Sequence, residues 1–124
     1  MPGKPSVYIL DSSFFLSGFP VPDGELYTVH LVVDEVRPDR KELHFARSKG
    51  LQVMEPSEET VLSVRTAAEG TGDLGRLSET DISVLALALE KKGILISDDY
   101  SIQNCASVLG IRFEPLMESV SPGY

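Results

Sequence analysis

Val7–Tyr8–Ile9–Leu10–Asp11–Ser12–Ser13–Phe14–Phe15–Leu16 runs four apolar residues straight into an acid, two hydroxyls and a second apolar run. That order predicts a buried parallel strand delivering a carboxylate to the mouth of a helix. Ligands of open α/β sheets collect at the carboxyl ends of strands, which makes Asp11 a candidate site residue. The plainer role is a cap on the helix that opens at Ser12 or Ser13. A second strand, Gly93–Ile94–Leu95–Ile96–Ser97, also runs into acids, Asp98 and Asp99. Two strands that both deliver carboxylates predict one acidic pocket.

The remaining chain supplies the layers around those strands. Gly18–Phe19–Pro20–Val21–Pro22–Asp23–Gly24 is a turn-rich loop, and Leu26–Tyr27–Thr28–Val29 reads as a short extended entry. Thr28 is placed to cap a helix from Val29 to Val36, and Pro38 fits the first turn of another running to Lys49 with Leu43, Phe45 and Ala46 buried. Leu51–Glu55 alternates as a strand. Ser57 opens a helix ending by Gly70, and residues 71–75 form a loop. Ser78-x-x-Asp81 has capping-box spacing before Ile82–Lys92, which is apolar nearly all round and so buried on more than one side. A helix over Ser101–Leu109 and a last strand at Ile111–Glu114 follow. Strands separated by helices predict a three-layer α/β/α fold with a central, mainly parallel sheet of four to five strands.

With 124 residues the expectation is one domain, residues 1–124, with 119–124 a frayed tail. No apolar run approaches the roughly 18 residues of a membrane span, and Met1–Pro5 lacks signal-peptide character. Cys105 is alone, which excludes a cysteine framework. A soluble, cytoplasmic protein is expected. The net charge of −8 argues against coating nucleic acid by charge alone, yet Arg37, Arg40, Lys41, Arg47 and Lys49 gather five of the eleven basic residues just after Glu35. A solvated helix face is the ordinary use of such a run. A basic rim beside an acidic pocket also suits a nuclease that draws in a phosphate backbone.

The acid stations are Asp11, Glu35, Asp81 and the pair Asp98/Asp99. Each has a plain explanation: Asp81 in its capping box, Glu35 on an exposed helix face, Asp99 as a cap. Together they would lie on one side of a parallel sheet and repel one another without counter-charge. Mg²⁺ or Mn²⁺, hard cations that take carboxylate oxygens and water, answers that repulsion. His30 and His44 are too far apart in sequence to form a local zinc motif.

Ile9–Leu10–Asp11–Ser12–Ser13–Phe14, Val32–Val33–Asp34–Glu35–Val36, Leu77–Ser78–Glu79–Thr80–Asp81–Ile82 and Ser97–Asp98–Asp99 together resemble the PIN-domain ribonuclease family. The resemblance spans residues 7 to about 114. Leu77–Ala88, Ser97–Asn104 and Tyr27–Thr28–Val29 look closer to one branch, the Nob-type endonucleases of small-subunit ribosome maturation. The resemblance implies metal-dependent cleavage of single-stranded RNA, with Asp11, Glu35, Asp81 and Asp99 as catalytic metal ligands. Asp98 is the alternative ligand to Asp99, and Ser12 and Ser97 are supporting hydroxyls. Arg37, Arg40, Lys41, Arg47 and Lys49 are expected to contact RNA, with an rRNA precursor the substrate. The branch's zinc ribbon, with its paired CxxC motifs, is not in these residues. The ribbon was removed, sits on a partner chain, or this PIN domain has another duty. A ribosomal subunit, a zinc-ribbon partner and a homodimer through Phe14, Phe15 or Phe19 are the partners considered. A toxin-type PIN ribonuclease and a non-catalytic RNA- or ribosome-binding module are the competing functions. A phosphoacceptor domain lacks a suitable Lys, and Ser13 stands where a haloacid-type phosphatase needs Asp.

Overall fold

The computed structural model describes residues 5–37 and 40–115. Its centre is β1 (Val7–Leu10), where Ile9 and Leu10 are wholly buried. On one side β1 pairs in parallel with β2 (Glu25–Thr28), which pairs with β3 (Gln52–Val53). On the other it pairs with β4 (Ile94–Ile96), which pairs with β5 (Phe113–Glu114). The sheet is therefore five parallel strands in the order β3-β2-β1-β4-β5. Helices α1 (Ser12–Ser17), α2 (His30–Val36) and α3 (Lys41–Ser48) serve the first half; α4 (Glu58–Thr71), α5 (Glu79–Lys91) and α6 (Tyr100–Leu109) serve the second.

Right-handed crossovers fix which face each set covers. The chain steps from β1 outward to β3, then returns across β1 to β4 and β5. The two directions send α1–α3 to one face and α4–α6 to the other. The helix contacts agree: α1 packs on α2 and α3, while α4, α5 and α6 pack on one another. The three-layer α/β/α expectation is met. Helix α5, with Val84 to Ala88 all buried, lies against β1 and β4. Strand order reverses between β1 and β4, so their carboxyl ends open the crevice where ligands of such sheets bind.

Residues 26–29 are not a mere entry: Glu25–Thr28 is a full sheet strand. Thr28 caps no helix; its buried hydroxyl donates 2.7 Å to the Leu10 carbonyl, tying β2 to the end of β1, and α2 begins at His30 behind Val29. Phe45 is not buried but about half exposed, because Leu43 and Ala46 take the inward face of α3. Helix α4 runs through Gly70 to Thr71 and stops where Gly72 turns left-handed, at φ 80°. The expected 71–75 loop is tied down: Leu74–Arg76 forms a short 3₁₀ turn, and buried Asp73 accepts the Asn104 amide. Pro38 and the tail at 119–124 lie outside the described residues. No helix among the described residues is long and apolar enough to cross a membrane.

Gly24 starts β2 at φ 149°, and a Cβ there would run into the Ser6 carbonyl, which accepts the Glu25 amide at 2.8 Å. Gly24→Ala is therefore expected to cost about 1–3 kcal/mol. Urea unfolding followed by circular dichroism checks it; an unchanged midpoint would show that the β1–β2 entry yields freely.

Candidate active site

Asp11 ends β1 and is 4% exposed. Its backbone caps α1, but its side chain makes no capping bond. Instead Oδ2 accepts the Ser97 hydroxyl at 2.9 Å and the Ser13 hydroxyl at 3.3 Å. Ser97 is itself wholly buried at the end of β4, and it accepts the Asp99 amide at 3.1 Å. The carboxyl ends of β1 and β4 are thus stitched by side chains as well as by the ladder. A carboxylate in this position is not serving its helix.

Glu35 comes from α2. Its Oε1 accepts Ser12 of α1 at 2.7 Å, and its Oε2 accepts Thr80 of α5 at 2.6 Å. One carboxylate bridges two elements from opposite sides of the sheet. Asp81 stands beside Thr80 at the start of α5, where the capping box is fully formed: Ser78 N–H donates to Oδ2 at 2.8 Å and Asp81 N–H to Ser78 Oγ at 3.1 Å. The cap role and the site role coincide, because the box fixes this carboxylate without moving it from the crevice. Asp99 caps α6 through Ile102 N–H at 3.1 Å. Asp98 and Asp99 are both exposed, and among the described residues Asp98 is bound through its amide, which donates to Ser13 Oγ at 3.4 Å.

Electrostatics confirms that these groups share a field. Burial pushes the Asp11 carboxyl up to about 6, and the Asp81 charge pushes the same way against the Ser97 and Ser12 hydrogen bonds. Asp81 is also raised, first by burial and then by the charges of Asp99 and Glu35. The ion pairs of the described residues, His30–Glu55, Arg40–Glu42 and Arg65–Glu79, include none of these acids. Charge thus links Asp81 to Asp11, Glu35 and Asp99, of which Glu35 and Asp99 are exposed, and no basic side chain among the described residues pairs with any of the four.

The donor set is all hard oxygen, which suits Mg²⁺ or Mn²⁺ rather than zinc. Among the described residues no three such side chains stand close enough to enclose an ion by themselves. Two supporting hydroxyls, Ser13 and Thr80, were missed in the sequence. The Ser12–Ser13 pair beside Asp11 was the available signal for the first. For Thr80, nothing short of its place beside Asp81 marked it.

Among the described residues, the predicted RNA contacts make no ion pair with these acids. Arg37 is exposed at the end of α2, and Lys41, Arg47 and Lys49 are exposed on or just past α3. Arg40 is partly engaged: its Nε donates to the Phe15 carbonyl at 3.3 Å and meets Glu42 at 3.1 Å. Phe14 and Phe15 are core residues, stacked edge to face, rather than an exposed interface.

Comparison with known proteins matches residues 8–90 to the PIN domain of ribonuclease. The chain is 45% identical over 115 residues to the endoribonuclease Nob1 of Pyrococcus abyssi, covering 90% of this chain and 70% of that protein. It is 43% identical over 116 residues to the Nob1 endoribonuclease of Archaeoglobus fulgidus, covering 90% and 69%. A more distant likeness, 37% over 112 residues, is to ribonuclease VapC3 of Aeropyrum pernix, covering 83% and 81%.

Because the carboxyl of Asp11 titrates near 6 in the folded chain and near 3.8 when unfolded, its protonated form favours folding, and that contribution is lost as pH rises through 6. Asp11→Asn is expected to stabilise the metal-free protein by up to ~3 kcal/mol above pH 7, with the gain vanishing below about pH 4. Thermal melts in EDTA across that range check it; equal melts at pH 8 would mean the charge is already compensated.

Proposed function

The chain belongs to the PIN-domain ribonuclease family, and from that premise we propose that it is a divalent-metal-dependent endoribonuclease that cuts single-stranded RNA in ribosomal RNA processing. The observation that supports the reading is the electrostatic link of Asp81 to Asp11, Glu35 and Asp99, with Asp11 and Asp99 flanking the switch between β1 and β4. Those four are the proposed metal ligands, with Asp98 available as an outer group. The likeness to Nob1 endoribonucleases supports a ribosomal precursor as substrate, with the chain acting as one domain in the cytoplasm. A zinc-ribbon partner and self-pairing extend the same proposal.

A bound divalent cation would polarise the scissile phosphate and lower the pKa of an attacking water. This chain's own residues hold the ligands in place for that. Ser97 and Ser13 fix Asp11 Oδ2, and Ser12 and Thr80 fix the two Glu35 oxygens. The Ser78 capping box fixes Asp81. Such pre-set geometry spares reorganisation when charge develops on the phosphate. No histidine touches the cluster, so proton removal falls to the water's own environment among the carboxylates.

A second reading, a toxin-type ribonuclease held by a protein inhibitor, is supported by the likeness to VapC ribonucleases. It shares the site and differs in the partner.

Cleavage of a 5′-labelled single-stranded RNA with Mn²⁺, with Mg²⁺ and with EDTA tests the proposal. Wild type is expected to cut only with metal, and Glu35→Gln and Asp81→Asn to lose about 10²-fold or more of the rate. Mn²⁺ should raise the melting temperature of wild type but not of Asp11→Asn. Metal-independent cutting, or full activity in both variants, would overturn the assignment.

A further inference from the structure

At the far end of α1 from the acid cluster lies an open groove of about 480 Å³, walled by Phe14, Phe19, Val21 and Phe45, with Lys41 and Glu42 on its rim. That volume lies within the range of small-ligand sites. Its walls are aromatic and aliphatic, yet its surroundings are cationic. Phe45 is 53% exposed, an unusual place for a phenylalanine on an otherwise regular amphipathic helix. The Lys49 ammonium stands 5.6 Å from the centre of that ring. Lys41 and Arg47 are exposed on the same helix. Glu42, the one acid lining it among the described residues, is already matched by Arg40. In a chain of net charge −8, an apolar aromatic groove bordered by cations is complementary to one kind of ligand: a flat ring carried on an anionic backbone.

We propose that this groove is a base-stacking subsite for the single-stranded RNA, with a nucleobase lying against Phe45 and the adjoining phosphates on Lys41 and Lys49. The proposal deepens the ribonuclease reading and rests on it for the identity of the strand. Helix α1 links the two places. Ser12, its first residue, holds Glu35, and Phe14 and Gly18 line the groove, six residues or roughly 9 Å along the helix axis. That separation lies inside the span of about four or more nucleotides that single-strand sites cover. A base seated here would register the strand, so that a phosphate a short distance along lies over Asp11 and its neighbours. Stacking accepts any base, because each offers a ring face. The subsite would therefore set position and demand an unpaired strand more than it would read sequence.

The test measures binding without cleavage. Fluorescence anisotropy of a labelled single-stranded oligoribonucleotide is recorded in EDTA with the full chain. The comparison set is Phe45→Ala, Phe45→Trp and Lys41→Ala, each checked for an unchanged melt, and a series of oligonucleotides with one abasic position moved along the strand. Phe45→Ala is expected to weaken binding about fivefold or more and Phe45→Trp to restore it. One abasic position should weaken binding to wild type about fivefold and leave binding to Phe45→Ala unchanged. Lys41→Ala should flatten the salt dependence by about 0.7 in log–log slope. Equal affinity of Phe45→Ala and wild type overturns the subsite even if metal-dependent cleavage is intact. Binding that persists while cleavage fails leaves the subsite standing and removes the nuclease reading instead. Sedimentation decides the rival occupant: a wild-type dimer that Phe45→Ala converts to monomers would assign the groove to a second copy and overturn the proposal.

Discussion

Everything about this fold turns on holding a charged carboxyl, Asp11, at 4% exposure with other carboxylates around it. An isolated ionised group in such a place costs several kcal/mol, so the surrounding structure must be arranged to tolerate it. The parallel sheet does this by geometry. β1 is its middle strand, β4 its neighbour, and the backbone amide of Asp11 continues the ladder to the Ile96 carbonyl at 3.3 Å. Ser97, one residue past β4, then arrives with a hydroxyl aimed at Oδ2. Movement of either strand by one residue would replace that hydroxyl with an isoleucine or an aspartate.

Hydroxyls are the site's chosen partners for its acids, and the choice has a chemical logic. Ser12, Ser13, Ser97 and Thr80 each donate to a carboxylate, and none carries charge. An Arg or Lys in the same places would satisfy the carboxylates more strongly. It would also cancel the field that would attract the proposed divalent cation and would occupy the oxygens such a cation would need. Neutral donors orient the acids and leave their charge in force. Burial first, and the neighbouring carboxylate charges after it, raise the titration of Asp11 and Asp81, a cost that a bound cation would relieve.

The parts that were legible in the sequence are those where one physical signal dominates. The run Val7–Leu10 before Asp11 and the run Ile94–Ile96 before Ser97 could be little else than buried parallel strands, and from them the layers and the acidic crevice followed. The capping box at Ser78 was readable because its spacing is local. What escaped were choices made by long-range packing. Thr28 carries a good capping side chain, yet the sheet spends it on Leu10, eighteen residues away. Phe45 has the hydrophobicity of a core residue, yet α3 turns Leu43 and Ala46 inward and leaves it half in solvent. Thr80 shows no local reason to bond Glu35 across forty-five residues. Periodicity identifies elements; which side chain an element gives to the core is settled by its neighbours.

The exposed Phe45 and the buried Asp11 are connected by that last point. Helix α1 is only six residues long, too short to be stable alone, and it is held at both ends. Ser12 bonds Glu35 at its start, and Arg40 reaches the Phe15 carbonyl near its end. Phe14 and Phe15 pin its middle to the core. The bond from Arg40, at the threshold of α3, ties the cationic helix to the same short strut that supports the acids. In a net-negative protein, the run Arg37, Arg40, Lys41, Arg47 and Lys49 in and around α3 is the densest basic stretch of the sequence, and an anionic strand would meet its strongest attraction there. Attraction and repulsion are therefore separated in space but joined mechanically, with the cationic helix fixed at one end of α1 and the carboxylates fixed at the other.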